Sequence, residues 1–175
     1  MFNCKSYIRK PEKLIEDLDD AVSFPNKYFI NISDLNENKY LKKSLDLDYL
    51  DGAIYLTYYS EVIIGFREWD LVDQLWAYVI NLIEEFLGNK QSSTYLPDQF
   101  IKLEMKEITS KELLFVVESN NEFKKFLLPT NQFVNMLIKS AKHFFEQISN
   151  FYSNDMLYSF ELDKIKKLEN IFNNL

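Results

Sequence analysis

The chain has few of the residues from which most catalytic and nucleotide sites are built. Its 175 residues include three glycines, one cysteine and one histidine. Phosphate-binding turns such as the Walker loop or GxGxxG need several closely spaced glycines, so the sequence excludes them. The single Cys4 excludes an internal disulfide framework and is typical of a reducing compartment.

Cys4 and His143 are single copies, which limits nucleophilic and metal chemistry. A zinc site requires three or four nitrogen or sulfur ligands and is therefore excluded. Any Cys/His or Ser/His nucleophile would have to use these two residues. Cys4 falls within residues 1–10, which we expect to be mobile, and His143 lies on the polar side of a predicted helix. We predict no catalytic site, no metal and no cofactor.

Long apolar runs are also absent. The longest candidate, residues 69–87, is interrupted by four acids: Asp70, Asp73, Glu84 and Glu85. It falls short of the roughly 20 apolar residues of a membrane span. Residues 1–24 lack the apolar core and the cleavage site of a signal peptide. We therefore expect a cytoplasmic protein that does not bind membranes.

One segment carries the whole net charge of −7. Residues 45–87 contain nine acids and a single base, Arg67, and so carry −8, whereas residues 1–44 carry +1 and residues 88–175 carry zero. The acids are Asp46, Asp48, Asp51, Glu61, Glu68, Asp70, Asp73, Glu84 and Glu85. Such asymmetry concerns partners rather than fold, and it argues against nucleic acid as a partner.

The pattern of apolar residues predicts an α+β fold, with an antiparallel sheet of about five to six strands covered on one face by helices. The predicted helices cover 69–87 and 131–151, and a last helix starts at about 161. The predicted strands cover 28–32, 45–49, 53–59, 62–66, 100–106, 113–118 and 123–128. No repeat or linker interrupts the chain, so we predict a single domain over residues 1–175.

Three local patterns add detail. Apolar and acidic residues alternate over 45–49, which predicts a strand with one wet face. The pair Asp51-Gly52 is typical of a hairpin turn. Gly88 follows the helix over 69–87, where a left-handed residue often ends a helix.

The acids of the 69–87 helix indicate a binding surface. Asp70 and Asp73 suit the helix N-terminus, whereas Glu84 and Glu85 oppose the dipole near its C-terminus and have no nearby base in sequence. Tyrosines flank the acids, a composition suited to contacts with lysine and arginine. The predicted partner-binding residues are Asp46, Asp48, Asp51, Tyr58, Asp70, Asp73, Glu84 and Glu85.

Part of the chain resembles a known class of proteins. The stretch DGAIYLTYYSEVIIGFREWDLVDQLWAYVINLIEEFL, with YLPDQFIKLEMKEI and LLFVVE further on, resembles small acidic immunity proteins of bacterial polymorphic toxin systems. The resemblance covers roughly residues 50–150 and implies a protein that binds and blocks a cognate toxin. It defines no motif from which functional residues transfer.

The leading hypothesis is an inhibitory protein whose acidic, tyrosine-flanked surface binds a basic protein, such as a cognate toxin. A structural or adaptor protein that forms a homodimer through an apolar helix face is the first alternative. The second is an enzyme that uses paired carboxylates, either Asp70 with Asp73 or Glu84 with Glu85. The sequence leaves open whether the acids of 46–51 and those of 70–85 share one face.

Overall fold

Two antiparallel sheets and five helices form an α+β fold in the computed structural model, which describes residues 1–173. The strands are β1 (Phe2–Arg9), β2 (Phe29–Asn31), β3 (Asp51–Tyr58), β4 (Glu61–Ile64), β5 (Asp70–Leu71), β6 (Gln91–Tyr95), β7 (Ile101–Glu107), β8 (Glu112–Ser119) and β9 (Glu122–Pro129). The helices are α1 (Leu18–Ser23), α2 (Pro25–Tyr28), α3 (Val72–Asn89), α4 (Thr130–Tyr152) and α5 (Ser159–Asn173), with short 3₁₀ helices over Ile32–Glu37, Lys39–Lys43 and Phe66–Glu68.

The first sheet, sheet A, has the order β2-β1-β3-β4, and β5 also pairs with β3. The N-terminal residues that we expected to be mobile form β1 and pair with β3 from Phe2↔Tyr58 to Ile8↔Gly52. Ile8 is buried, and the Phe2 ring packs against the Tyr58 ring with ring centroids 4.4 Å apart. Alternate apolar side chains thus fix the N-terminus in the sheet.

Gly52 belongs to a strand and not to a turn, contrary to the prediction of a hairpin at Asp51-Gly52. The two residues begin β3, where Gly52 pairs with both Ile8 and Asp70. A Cβ atom at this position would lie 2.1 Å from the carbonyl oxygen of Tyr7 and 2.7 Å from a methyl carbon of Val72. Close approach of neighbouring chains is therefore what requires glycine here.

The predicted strand over 45–49 is also absent, since residues 44–50 form an irregular loop. The amide of Asp48 donates a hydrogen bond to the Asp46 carboxylate over 2.9 Å. A side chain that bonds to the backbone two residues on favours a turn over a strand. Asp46, Asp48 and Tyr49 are exposed on this loop.

The second sheet, sheet B, is a meander in the order β6-β7-β8-β9. Ile101, Leu103 and Met105 are buried, as their alternation predicts. The sequence did not predict β6, because only Ser92 of its five residues is buried. The predicted α+β class and antiparallel pairing are confirmed, and the described strands form two sheets, one of five strands and one of four.

Helices α3 and α4 close one core shared by both sheets. The apolar side of α3 packs inward, with Trp76 and Ile83 fully buried, so this helix leaves little apolar surface for a homodimer. Trp76 donates a hydrogen bond to the Ser6 hydroxyl of β1 over 2.9 Å. A smaller cluster around Phe29, Ala53 and Phe66 covers part of the other face of sheet A.

The C-terminal end of α3 differs from the sequence prediction. The helix continues through Gly88, and the left-handed residue is Lys90, with φ of 62°. The amide of Lys90 bonds to the carbonyl of Phe86 over 2.8 Å. Within residues 1–173, no helix has both the length and the apolar composition of a bilayer span.

Candidate functional site

The pairing of β3 with β5 brings distant acids together. Asp51 opens β3 and faces Leu71, while Gly52 faces Asp70. The acidic loop over 44–50 leads directly into Asp51, so it lies at the same end of sheet A. Asp46 and Asp51, which are close in sequence, therefore lie at the same end of sheet A as Asp70, which is about 20 residues further along the chain.

Two neighbouring pockets at this end share Asp51. The first, of about 100 Å³, is lined by Asp46, Tyr49 and Asp51 together with Arg9. The second, of about 300 Å³, has Asp51, Asp70 and Asp98 in its lining, with Trp69 and Arg67. Carboxylates thus form most of the charged groups on a surface that also carries aromatic rings.

Asp51 is partly neutralised within the protein. Its Oδ2 accepts from Arg9 Nε over 3.0 Å and forms an ion pair with Nη2 at 2.5 Å. The Arg9 side chain is largely buried, so the pair also fixes the start of β3 to the end of β1. Asp51 therefore defines the shape of the two pockets, and more exposed carboxylates supply their outward charge.

Asp70 supports the site and is not itself a contact surface, because its residue is only 3% exposed. Its carboxylate accepts hydrogen bonds from the amides of Leu71 at 2.6 Å, Asp98 at 3.1 Å and Gln99 at 3.0 Å. Burial raises the pKa of this carboxyl, and the three backbone hydrogen bonds oppose that rise. Asp70 thus anchors the turn between β6 and β7.

This anchored turn presents two residues that the sequence analysis did not select. Asp98 is exposed. Phe100 is 94% exposed, more than any other large hydrophobic residue in the described part of the chain. The sequence did contain a signal for Phe100. Ile101 and Leu103 point inward, so the alternation of side chains along the strand places Phe100 on the outward-facing side. We refer to the set Asp46, Asp48, Tyr49, Asp51, Trp69, Asp98 and Phe100 as the acid–aromatic surface.

Helix α3 carries the other predicted acids away from this surface. Glu85 lies 13 residues beyond the start of the helix at Val72, which corresponds to about 20 Å along its axis. Glu84 pairs with Lys164 of α5 at 2.6 Å, so the base that the local sequence lacks comes from another helix. Glu85 lines a separate pocket with Glu104. The structure therefore does not unite Glu84 and Glu85 with the acids of 46–51.

Asp73 and Tyr58 are also placed elsewhere. Asp73 faces the turn that precedes α5, where its Oδ2 accepts from the Tyr158 hydroxyl over 3.0 Å. Tyr58 lies at the far end of β3, seven residues from Asp51 or about 23 Å of strand. Its half-buried ring packs against Phe2 and Tyr59. Neither residue contributes to the acid–aromatic surface.

Cys4 and His143 share a pocket, but the geometry is poor for nucleophilic chemistry. Burial raises the pKa of the Cys4 thiol to about 12, so the thiol is protonated at neutral pH. His143 is exposed, and its Nε2 lies 3.4 Å from the Ser33 hydroxyl. Within residues 1–173, no cluster of three or more His, Cys, Asp or Glu side chains suits a metal ion.

Comparison of the chain with protein-family models, with curated proteins and with solved structures finds no match.

Proposed function

We propose that this chain is an inhibitory binding protein of the immunity type, whose acid–aromatic surface binds a basic protein toxin. The observation that carries the proposal is the pair of pockets that share Asp51, in which Tyr49 and Trp69 lie beside carboxylates. Exposed Phe100 follows Asp98 of the second pocket by two residues. An exposed aromatic side chain gives an interface its apolar anchor, and the surrounding acids select a basic partner.

The charge at this surface favours fast association. Asp46, Asp48 and Asp98 are exposed and form no ion pair within the described residues. Arg9 and Arg67, the bases of the two pockets, are engaged by Asp51 and Asp19. Steering by such a field raises association rates by about 10 to 10³-fold and weakens with salt.

The hydrogen bonds of Asp70 make the surface suitable for tight binding. They fix the backbone of Asp98 and Gln99 before any partner arrives, and the Gln99 side chain also donates to the Trp69 carbonyl. A surface that is already ordered loses less conformational entropy on binding. Inhibition then follows if the bound face of the toxin includes its active site.

The test uses the product of the neighbouring gene as the partner, with association rates measured over a range of salt concentrations. We expect the triple variant D46K/D48K/D98K to slow association by at least about tenfold and to weaken its dependence on salt. We expect Phe100→Ala to accelerate dissociation, because the variant removes the apolar anchor and leaves the charge unchanged.

The matched control is E85K/E122K/E146K, which makes the same change in charge at exposed acids outside the acid–aromatic surface. It should retain most of the association rate. If both triple variants slow association equally, then the net charge of the protein, and not the acid–aromatic surface, determines the association rate. Unchanged binding in D46K/D48K/D98K and in Phe100→Ala would exclude this surface as the interface.

A further inference from the structure

One side of β1 lacks a strand partner over about half of its length. β2 pairs with β1 only at Tyr7, Ile8 and Arg9. Within residues 1–173, no other strand pairs along this side of β1, so the stretch over residues 2–5 forms an open edge. Open edges offer unpaired amide and carbonyl groups to another extended chain.

The direction of the backbone groups follows from the register. The amide of Tyr59 donates to the carbonyl of Met1 over 2.9 Å, and the amide of Lys10 donates to Tyr28 over 2.8 Å. Backbone groups in an antiparallel strand alternate between its two sides. Odd-numbered residues of β1 therefore bond to β3, while the N–H and C=O of Cys4 point to the open side.

A groove of about 510 Å³ lies along this edge. Cys4 and Lys5 of β1 line it together with residues 31–34 and with Lys139, Ser140 and His143 of α4. The His143 Nε2 lies 3.4 Å from the Ser33 hydroxyl, so residues 31–34 and α4 meet at this point. The groove therefore combines free backbone hydrogen-bonding groups with side chains on both sides. This is the arrangement that proteins use to bind a peptide by strand addition.

The charge of the groove selects the kind of peptide. Lys5 and Lys139 are exposed, and neither forms an ion pair within the described residues. Among the described residues that line the groove, Asp34 is the single acid. A strand added to β1 would direct alternate side chains to the two faces of sheet A, with Lys5 on one face and Lys139 beside the other. Acidic side chains on the added strand would thus meet a lysine on either face.

We propose that the open edge of β1 binds an extended acidic segment of another protein by strand addition. This site is distinct from the acid–aromatic surface. It carries basic side chains and binds an acidic partner, whereas the acid–aromatic surface carries acids and binds a basic partner. The backbone of Cys4 supplies hydrogen bonds to the added strand, and Lys5 and Lys139 attract its carboxylates. Ser140 and His143 offer polar contacts to its side chains.

The first test is a fluorescence-anisotropy titration with a short labelled peptide that alternates valine and glutamate. We expect it to bind at least about tenfold more tightly than the same peptide with lysine in place of glutamate. Methylation of alternate backbone nitrogens should abolish binding, because it removes the strand hydrogen bonds and keeps the charge. Equal binding of the acidic and basic peptides, or no binding of either, would overturn the proposal.

The second test locates the peptide. The double variant K5E/K139E should weaken binding of the acidic peptide at least about tenfold, whereas K106E, a charge reversal at an exposed lysine of β7, should leave it unchanged. The Cys4 amide should exchange with solvent faster than the Lys5 amide in the free protein and should become protected when the peptide binds. Protection elsewhere, with Cys4 unaffected, would place the peptide at another site and overturn the proposal.

Light scattering of the free chain separates a peptide from a second copy as the occupant. We expect a monomer whose mass rises only by that of the bound peptide. A homodimer that the acidic peptide dissociates would show that the edge of β1 serves self-association, which contradicts the proposal.

Discussion

Left-handed backbone positions among residues 1–173 are all occupied by residues with side chains. They are Tyr59, Lys90, Asn120, Asn121, Ser153 and Tyr158, and none of the three glycines has a positive φ. The left-handed region costs a residue with a Cβ roughly 1 kcal/mol, less for asparagine. The scarcity of glycine that excludes phosphate loops therefore also lowers the stability of several turns and helix ends.

Lys90, at the C-terminal end of α3, is the clearest position at which to measure this cost. We expect Lys90→Gly to raise the free energy of unfolding by about 0.5–1 kcal/mol, because glycine adopts φ of 62° without strain. Urea denaturation measures the change. The ion pair of Lys90 with Glu107 is lost, but it is largely exposed and contributes little.

Lys90→Ala is the matched control, since it removes the same ion pair and keeps the Cβ atom. It should give no increase in stability. If Lys90→Gly is no more stable than Lys90→Ala, the backbone at this position is not strained.

At the scale of elements, the contact of α3 with the turn that precedes α5 depends on a buried carboxyl. Oδ2 of Asp73 accepts from the Tyr158 hydroxyl, whereas Oδ1 is buried and has no hydrogen-bond partner within the described residues. Burial raises the pKa of Asp73, the Tyr158 hydrogen bond opposes that rise, and Glu161 adds to it. The ionised form therefore reduces the stability of this joint.

The contribution of Asp73 to the stability of the fold falls as the pH rises. The pKa of Asp73 in the folded state lies above its usual value of 3.8, so folding favours the protonated form. Its contribution to stability is full below about pH 3.8 and is lost as the pH rises through the folded-state pKa. We expect Asp73→Asn to avoid this loss, so that the variant gains stability relative to the wild type as the pH rises above about 3.8.

Urea denaturation at several pH values measures this difference, which amounts to about 1.4 kcal/mol for each unit by which the pKa is raised. Asp163→Asn, at an exposed site on α5, controls for the removal of one negative charge. A stability difference between Asp73→Asn and the wild type that does not change with pH would show that the Asp73 carboxyl is well solvated in the folded protein.

The elements that were predicted from sequence are those with a regular apolar period. The core positions of α3, α4 and β7–β9 follow from local spacing alone. The strand predicted over 45–49 was wrong because the Asp46 side chain bonds to the backbone there. β6 was missed because its neighbours, rather than apolar side chains of its own, hold it in sheet B.

The sequence predicted the part of the candidate site whose residues are close together along the chain. The acids of 46–51 were found because they are close in sequence. Their approach to Asp98 depends on the β3–β5 pairing, which joins residues about 20 positions apart, and on the hydrogen bonds from the amides of Asp98 and Gln99 to Asp70, which span 28 and 29 positions. Likewise, no base lies near Glu84 in its own segment of the sequence, but the fold brings Lys164 of α5 to it as an ion-pair partner.

At the scale of the whole molecule, the two sheets share one core through α4. The Phe133 ring is fully buried and lies 5.4 Å from Phe2 of sheet A and 5.1 Å from Phe115 of sheet B, measured between ring centroids. Both tryptophans belong to the sheet A side, Trp69 just before β5 and Trp76 in α3. Unfolding of each sheet can therefore be followed by a separate probe.

We expect Phe133→Leu to lower the free energy of unfolding by roughly 1–2 kcal/mol, equally by tryptophan fluorescence and by native-state amide exchange at Phe115. The reason is that one ring fills the space between both sheets, so its loss weakens contacts to each and the chain unfolds as one cooperative unit. Phe123→Leu, at a half-exposed ring of β9, should change both measurements little. A loss seen at Phe115 and not in the fluorescence would instead mean that sheet B unfolds independently. In that case a toxin bound at the acid–aromatic surface, which takes residues from both sheet A and the β6–β7 turn, would join two units that are only loosely coupled in the free protein.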